Sequence, residues 1–389
     1  MYDGIVSVES FWRVDDIEYE EGEMLCMGNI LDYLDWRGDL TFYQSPFNEV
    51  DNLLLSQLPY IDFSGIVQNE GMKQGISIRA ASRLFFETHD EAEILKTVSM
   101  TKNAIFVLKK MADSVRFADA KLFGYCEEIS KEEQSQFAVL SILLGDGSVY
   151  VSFSGTDETI VGWHEDFNMA FLEETPAHQK AVKYMKTIDL DGVFVLRLGG
   201  HSKGGNLSVY AAMHCDWEVK RRIHRVYNND GPGFPKQIIN SQLYKDLQPL
   251  IHTIIPESSV VGMLFEHMDD YRVVRSSNHG LKQHDVLSWM VLGTDLIEAE
   301  QVSKKSLVLD EAMKNWLSGL NHSERQKIVQ TIFHVLDVAE IQTVDDLYNA
   351  KWDTIVKVMK AENDLPAENK RMMANALKMF VKEVLNARI

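Results

Sequence analysis

The sequence predicts an α/β fold, a mainly parallel central sheet with helices on both faces and helical additions at each end. Three observations predict it. Lys121 to Ile129, Phe137 to Leu144 and Ser148 to Phe153 are runs of β-branched and aromatic residues that read as successive strands. Beyond them strand-like and helical patterns alternate through Val193 to Leu198, Ile223 to Tyr227, Ile251 to Ile255 and Tyr271 to Val274, which implies parallel strand–helix–strand units. The run at Val193 also passes into the turn Gly199-Gly200-His201-Ser202-Lys203-Gly204-Gly205, after which Leu207, Tyr210 and Ala211 recur at helical spacing.

Taken in order, Asp15 to Glu23 is an acidic, solvated run, and Asn29 to Leu34 reads as helix. Phe47 to Leu58 places Val50, Leu53, Leu54 and Leu58 on one helical face, ended by Pro59. Ala80 to Ala118 fits helices joined by polar turns, and Gly145-Asp146-Gly147 supplies positive-φ positions for a hairpin between the second and third strands. Gly162 to Lys186 is helical, and Gln283-His284-Asp285 leads into an apolar helix containing Leu287, Trp289 and Met290. Leu309, Met313, Trp316, Leu317 and Leu320 form a stripe, Ser323 with Gln326 resembles a capping box, and Thr343 with Asp346 and then Pro366 open further helices. The organisation that follows is a helical N-terminal region over 1–80, a catalytic domain over 81–299 and a helical C-terminal module over 300–389, whose stripes read as intramolecular core or, less favoured, a protein-partner surface.

Composition narrows the function. With 39 basic and 58 acidic residues the formal charge is −19, which argues against nucleic acid or an anionic membrane as partner. Cys26, Cys126 and Cys215 are widely spaced and odd in number, so neither a disulfide framework nor a metal knuckle is expected, and no cofactor is implied. No signal-peptide pattern opens the chain and no run approaches the roughly 18 apolar residues of a membrane span. The expectation is a cytoplasmic protein.

A strand turning sharply into a helix with serine at its apex is a nucleophile elbow, here Gly200-His201-Ser202-Lys203-Gly204. Small neighbours let strand and helix approach closely enough to project the Ser202 hydroxyl. The amide of Lys203, at the helix N-terminus, then faces a developing oxyanion, and the strand ending Phe153-Ser154-Gly155-Thr156 offers a second donor in the Thr156 amide. Nucleophilic serine chemistry also needs a base and an acid that orients it. In the chain order serine, acid, histidine, the base follows the last strand, where His284 is favoured over the turn residue His279. Asp230, in Asn228-Asn229-Asp230-Gly231-Pro232-Gly233, and Glu257 after the next strand both qualify as acid. Asp230 is preferred, against a plain Asx turn before Gly231. His201, one residue from the serine, is too close to act as base and reads as packed or hydrogen bonded beside it. No His or Cys pair has metal-ligand spacing.

Phe153-Ser154-Gly155-Thr156 with Trp163 and Asp166 downstream, and Gly200-His201-Ser202-Lys203-Gly204-Gly205, resemble the lipase class 3 branch of the α/β hydrolases over residues 120–290. Asn228 to Phe234, Gln283-His284-Asp285 with Trp289, and the N-terminal Asp39-Leu40-Thr41-Phe42 and Phe47 to Asp51 resemble more closely an uncharacterised bacterial family of lipase-like proteins. The resemblance implies an α/β-hydrolase fold, Ser202 as nucleophile, His284 as base and the amides of Thr156 and Lys203 as oxyanion donors. One departure is Glu257-Ser258-Ser259 where class 3 lipases place an aspartate and an apolar-Pro step. The function expected is a serine hydrolase that cleaves a small-molecule carboxylic ester, lipid-like esters included, through an acyl-enzyme. The alternative is a hydrolase-fold binding or scaffolding protein with a vestigial site.

Overall fold

The strand-like runs pair into one eight-stranded sheet in the computed structural model, which describes residues 28–96, 101–156, 160–169, 172–267, 270–339, 365–372 and 375. The strands are β1 (Ile76–Ser77), β2 (Lys121–Ser130), β3 (Ser135–Leu143), β4 (Val149–Phe153), β5 (Leu196–His201), β6 (Ile223–Asn229), β7 (Ile251–Pro256) and β8 (Tyr271–Val274). Their order across the sheet is their order in the chain. β1 to β4 are joined antiparallel and β4 to β8 parallel. The parallel steps are crossed by helices, among them Pro176–Thr187 before β5, Lys203–His214 after it and Gln242–Leu247 before β7. This is an α/β-hydrolase fold, with loops at the carboxyl ends of β4 to β8 gathered on one edge, where open α/β sheets hold their ligands.

Side-chain alternation gives the sheet two cores. On one face Tyr150, Tyr227, Ile254 and Val274 pack with Ile30, Leu53, Leu108 and Trp289; on the other Val151, Phe153 and Leu198 pack with Ala181, Met185, Leu207 and Ala211. The N-terminal helices belong to the first core. In the helix Glu49–Leu55 every residue from Val50 to Leu55 is buried, and its polar members are paired. Asn52 and Asn229 exchange amide hydrogen bonds of 2.9 and 3.1 Å, and Tyr150 Oη donates to Asn52 Oδ1 at 2.7 Å. Asp51 accepts from Arg116 Nε at 2.7 Å, from Arg116 Nη2 at 2.5 Å and from Tyr33 Oη at 2.9 Å. Arg116 lies over the Phe42 ring and donates also to the carbonyls of Leu40, Ser45 and Pro46. One buried fork thus gathers the loop between the first two helices.

The helix His322–Val338 packs on the helix Ile160–Asn168: Phe333 stacks on His164 at 4.1 Å between centroids and meets Phe167 edge-on. Among the described residues no helix is long and apolar enough to cross a membrane.

The structure corrects several local expectations. The elbow strand begins at Leu196, not Val193, because Gly192 takes φ 73° and the Val193 amide closes a turn onto the Leu190 carbonyl. The helix expected from Phe47 to Leu58 stops at Leu55, and Pro59 starts rather than ends the next piece, the 3-10 turn Leu58–Tyr60. The segment directly after His284 is not an α-helix: Gly280–His284 and Val286–Ser288 are 3-10 turns, and the backbone of Trp289 bridges to Ser276. The capping box falls two residues earlier than Ser323/Gln326, on Asn321 and Glu324, which accept each other's amides. In the Gly145-Asp146-Gly147 hairpin only Gly147 takes positive φ. The run Asp15 to Glu23 and the helix start at Thr343 with Asp346 lie outside the described residues.

The Arg116–Asp51 pair yields a prediction, because removing one member strands the other in the core. Asp51→Ala should lower the free energy of unfolding by about 3–5 kcal/mol, read from urea denaturation.

Candidate functional site

Ser202 follows β5 with φ 58° and ψ −132°, at the N-cap position of the helix Lys203–His214 but with no capping hydrogen bond from its side chain. This is a left-handed conformation that a non-glycine residue holds only when its surroundings enforce it. The enforcement is close backbone packing. A Cβ on Gly200 would meet the Gly204 backbone and the Phe153 carbonyl, one on Gly204 would meet Phe153 and Ser154 backbone, and one on Gly231 would meet the Ser202 carbonyl. Gly155 lies against the serine itself, with an added Cβ 3.1 Å from Ser202 Cβ.

His284 reaches this edge from the loop after β8, and Asp230 from the end of β6. His284 Nδ1 donates to Asp230 Oδ2 at 2.6 Å, with the carboxylate fully buried and the imidazole 15% exposed. The other carboxylate oxygen, Oδ1, accepts from Ser259 Oγ at 2.5 Å and from the Gly262 amide at 3.2 Å. Asp230 also takes positive φ, 50°. It does not form the Asx turn: the Gly231 amide donates to Asn228 Oδ1 at 3.0 Å, which leaves the Asp230 carboxylate for the imidazole. Because Nδ1 carries the proton toward a carboxylate, the neutral ring presents Nε2 as an acceptor.

Glu257 is turned elsewhere. Its Oε1 lies 3.5 Å from Gln283 Nε2, while Gln283 Oε1 accepts from the Ser258 amide at 2.7 Å. Gln283 is in turn fixed by the indole of Trp289, which donates to its carbonyl at 2.8 Å. The residue before His284 is thus held from two sides.

His201 is a clamp for the same loop. Its Nε2 donates to the His284 carbonyl at 2.7 Å, the two rings lie 4.4 Å apart, and the Tyr60 hydroxyl donates to Nδ1 at 3.0 Å and to the His201 carbonyl at 3.2 Å. Burial, and then the neighbouring His284, hold the His201 imidazole well below its ordinary pKa, so it stays neutral with these donor and acceptor roles. Since His201 immediately precedes Ser202, this contact brings His284 to the elbow.

Of the two amides singled out as oxyanion donors, Thr156 follows β4 and its hydroxyl is engaged: Oγ1 donates to Asp166 Oδ2 at 2.5 Å. Lys203 is the first residue of the elbow helix, and its side chain runs down into the protein, 1% exposed. Its Nζ donates to the Gln136 carbonyl at 2.8 Å, to Gln136 Oε1 at 2.7 Å and to Glu165 Oε2 at 3.1 Å. Glu165 also accepts from the amides of Gln136 and Ala177. Every donor of the ammonium is met, the condition under which a buried charge is tolerated. A third brace runs through Asn206, which donates to the carbonyls of Pro232 and Gly233 and accepts from His178 Nε2 at 2.7 Å, tying the elbow helix to the Asp230 turn.

Sequence reasoning did not assign Tyr60, Gln136, Glu165, Ser259, Asn206 or His178. A lysine directly after an elbow serine was a signal for Glu165, since an ammonium entering a helix at the sheet needs a carboxylate; for Tyr60 and Ser259, brought in from other elements, no local signal exists.

The Mbeg1-like family model matches residues 111–334. Among solved structures, the crystal structure of M37 lipase is similar with a TM-score of 0.35 and 14% identity, over 54% of this chain and 68% of that one. No curated protein matches the sequence.

The buried braces yield two predictions. Glu165→Ala leaves the Lys203 ammonium without its counter-charge and should cost about 3–5 kcal/mol in urea unfolding, whereas Glu165→Leu combined with Lys203→Met should recover most of that loss. Burial pushes the His178 imidazole down to about 4, so the unfolded chain binds a proton that the folded chain refuses between about pH 6.5 and pH 4. Stability should therefore fall as pH drops through that window, by up to about 3 kcal/mol from this group, and His178→Gln should flatten the slope measured from pH 7 to pH 4.

Proposed function

The chain belongs to the Mbeg1-like family, a lipase-class-3-like family, and we propose that it is a serine hydrolase cleaving a carboxylic ester through an acyl-enzyme, with Ser202, His284 and Asp230 as its triad. The observation that carries the proposal is the 2.6 Å bond from His284 Nδ1 to the buried Asp230 carboxylate beside an elbow serine at positive φ. In this reading His284 Nε2 takes the Ser202 proton as Oγ attacks the ester carbonyl. The amides of Thr156 and Lys203 receive the oxyanion, a contribution of about 3–4 kcal/mol for each donor of this type. The imidazolium, steadied by Asp230, returns the proton to the leaving alcohol, and water repeats the sequence to release the acid.

Asp230 rather than Glu257 is the acid of this proposal, because Glu257 meets Gln283 and not the imidazole. The same bond favours catalysis over a binding protein with a vestigial pocket: a carboxylate buried and shared between His284, Ser259 and Gly262 is an orienting group. Lipid-like esters are the substrates suggested by the family, with the acyl group set by the pocket rather than by the triad.

The test is hydrolysis of p-nitrophenyl esters of graded chain length, together with labelling by a fluorophosphonate. Wild-type protein should be labelled at Ser202 and Ser202→Ala should be neither labelled nor active. Asp230→Asn should lower kcat by about 10⁴-fold, while Glu257→Gln should leave it within a few-fold. Folded wild-type protein that resists the label, or an Asp230→Asn variant of full activity, would overturn the assignment.

A further inference from the structure

At the opposite end of the parallel strands from Ser202 lies a cavity of about 370 Å³. It opens where β5 and β6 begin, with Arg197 and Arg225 as register partners on adjacent strands. Basic character here is unexpected in a chain of net charge −19.

The carboxylates of the cavity are already matched. Glu49 binds His252 and Arg272, and Arg272 further meets Asp295 and Glu298. Burial alone would raise the Glu49 carboxyl, yet the hydrogen bond from His252 and the charge of Arg272 leave it lowered. Arg197 and Arg225 have no such match. Arg197 donates from Nη1 to Ser148 Oγ at 2.7 Å and stacks over the Phe47 ring at 4.3 Å; among the described residues Arg225 reaches only the Pro249 carbonyl, at 3.4 Å. Among the described residues neither guanidinium meets a carboxylate. Two like charges directly across a strand pair repel, and most of their donors are unused. Their field is felt next door: burial, then Arg197 and Arg225, lower the pKa of His224 on the cavity rim.

We propose that this cavity binds the phosphate or carboxylate end of a small soluble molecule, gripped across the Arg197 and Arg225 guanidiniums. Two planar forks side by side suit bidentate capture of such an anion, and the anion relieves the repulsion between them. Phe47 and Tyr227, with ring centroids 6.1 Å apart, supply an apolar wall for the body of the ligand. The volume lies at the lower end of the range for small-molecule sites.

Calorimetric titration of the full-length chain with inorganic phosphate and with phenyl phosphate tests this at low ionic strength. Saturable binding is expected for both, tighter for phenyl phosphate, and weakened about tenfold or more in Arg225→Gln, whose single weak contact makes it the variant expected to fold. Its far-ultraviolet circular dichroism should match wild type, and its ligand-free melting temperature should be no lower, since one of two repelling charges is gone. The variant Lys73→Gln/Lys236→Gln removes two exposed positive charges elsewhere and should bind as wild type does. The proposal is overturned if wild type shows no saturable binding, if folded Arg225→Gln binds equally well, if the Lys73/Lys236 control loses as much, or if the protein sediments with phosphatidic acid vesicles while ignoring phenyl phosphate.

Discussion

Close contact between main-chain segments at the elbow is the constraint from which the rest of the site follows. A Cβ on Gly200 or on Gly204 would strike the Phe153 carbonyl, so β5, the helix Lys203–His214 and the end of β4 are drawn together more tightly than ordinary strand–helix packing permits. That proximity forces Ser202 into positive φ and brings Gly155 against its Cβ. It also puts the first helical residue, Lys203, directly above the interior. A lysine there has no route to solvent, and Gln136 with Glu165 satisfy it from beneath. Strain at the apex and a charge-assisted brace below it are two sides of one packing arrangement.

The carboxylate–imidazole pair depends on a second layer of fixation. Asp230 is aimed because Asn228, rather than Asp230, serves the turn amide of Gly231, and because Ser259 and Gly262 occupy its other oxygen. His284 is aimed because its carbonyl is tied to His201, while its neighbour Gln283 is tied to Trp289. Asp230 stands just past the end of β6 and His284 closes a 3-10 turn, and each is pinned by hydrogen bonds to segments distant in sequence.

β8 was legible to the residue, and the core strands to within a few positions, because apolar alternation is a local property that burial on two faces amplifies. Val193 and Phe194 read as strand because they are as β-prone as the strand they precede; what excludes them is the Gly192 turn, and Phe194 is left 86% exposed. The apolar spacing after His284 reads as helix, but Leu287 is half-buried and Trp289 fully buried from 3-10 and bridge conformations. The strand–turn–helix around Ser202 is legible from the strand-like run before the glycines and the helical spacing after them. Which carboxylate meets the His284 ring is not, because that contact spans 54 residues of chain and no local pattern encodes it. Tyr60 was invisible for the same reason: its role is set by tertiary contact with His201, 141 residues away.

β5 is six residues long, with Arg197 near its start and Ser202 just beyond its end. Side chains along it alternate between the two cores, so one inserted or deleted residue reverses every face at once. Such a change would carry the arginine from the cavity into the opposite apolar layer and would move the serine off its apex in the same stroke. Within this strand length variation is therefore closed to evolution and to protein engineers alike, and only substitution can alter one end of the sheet while sparing the other.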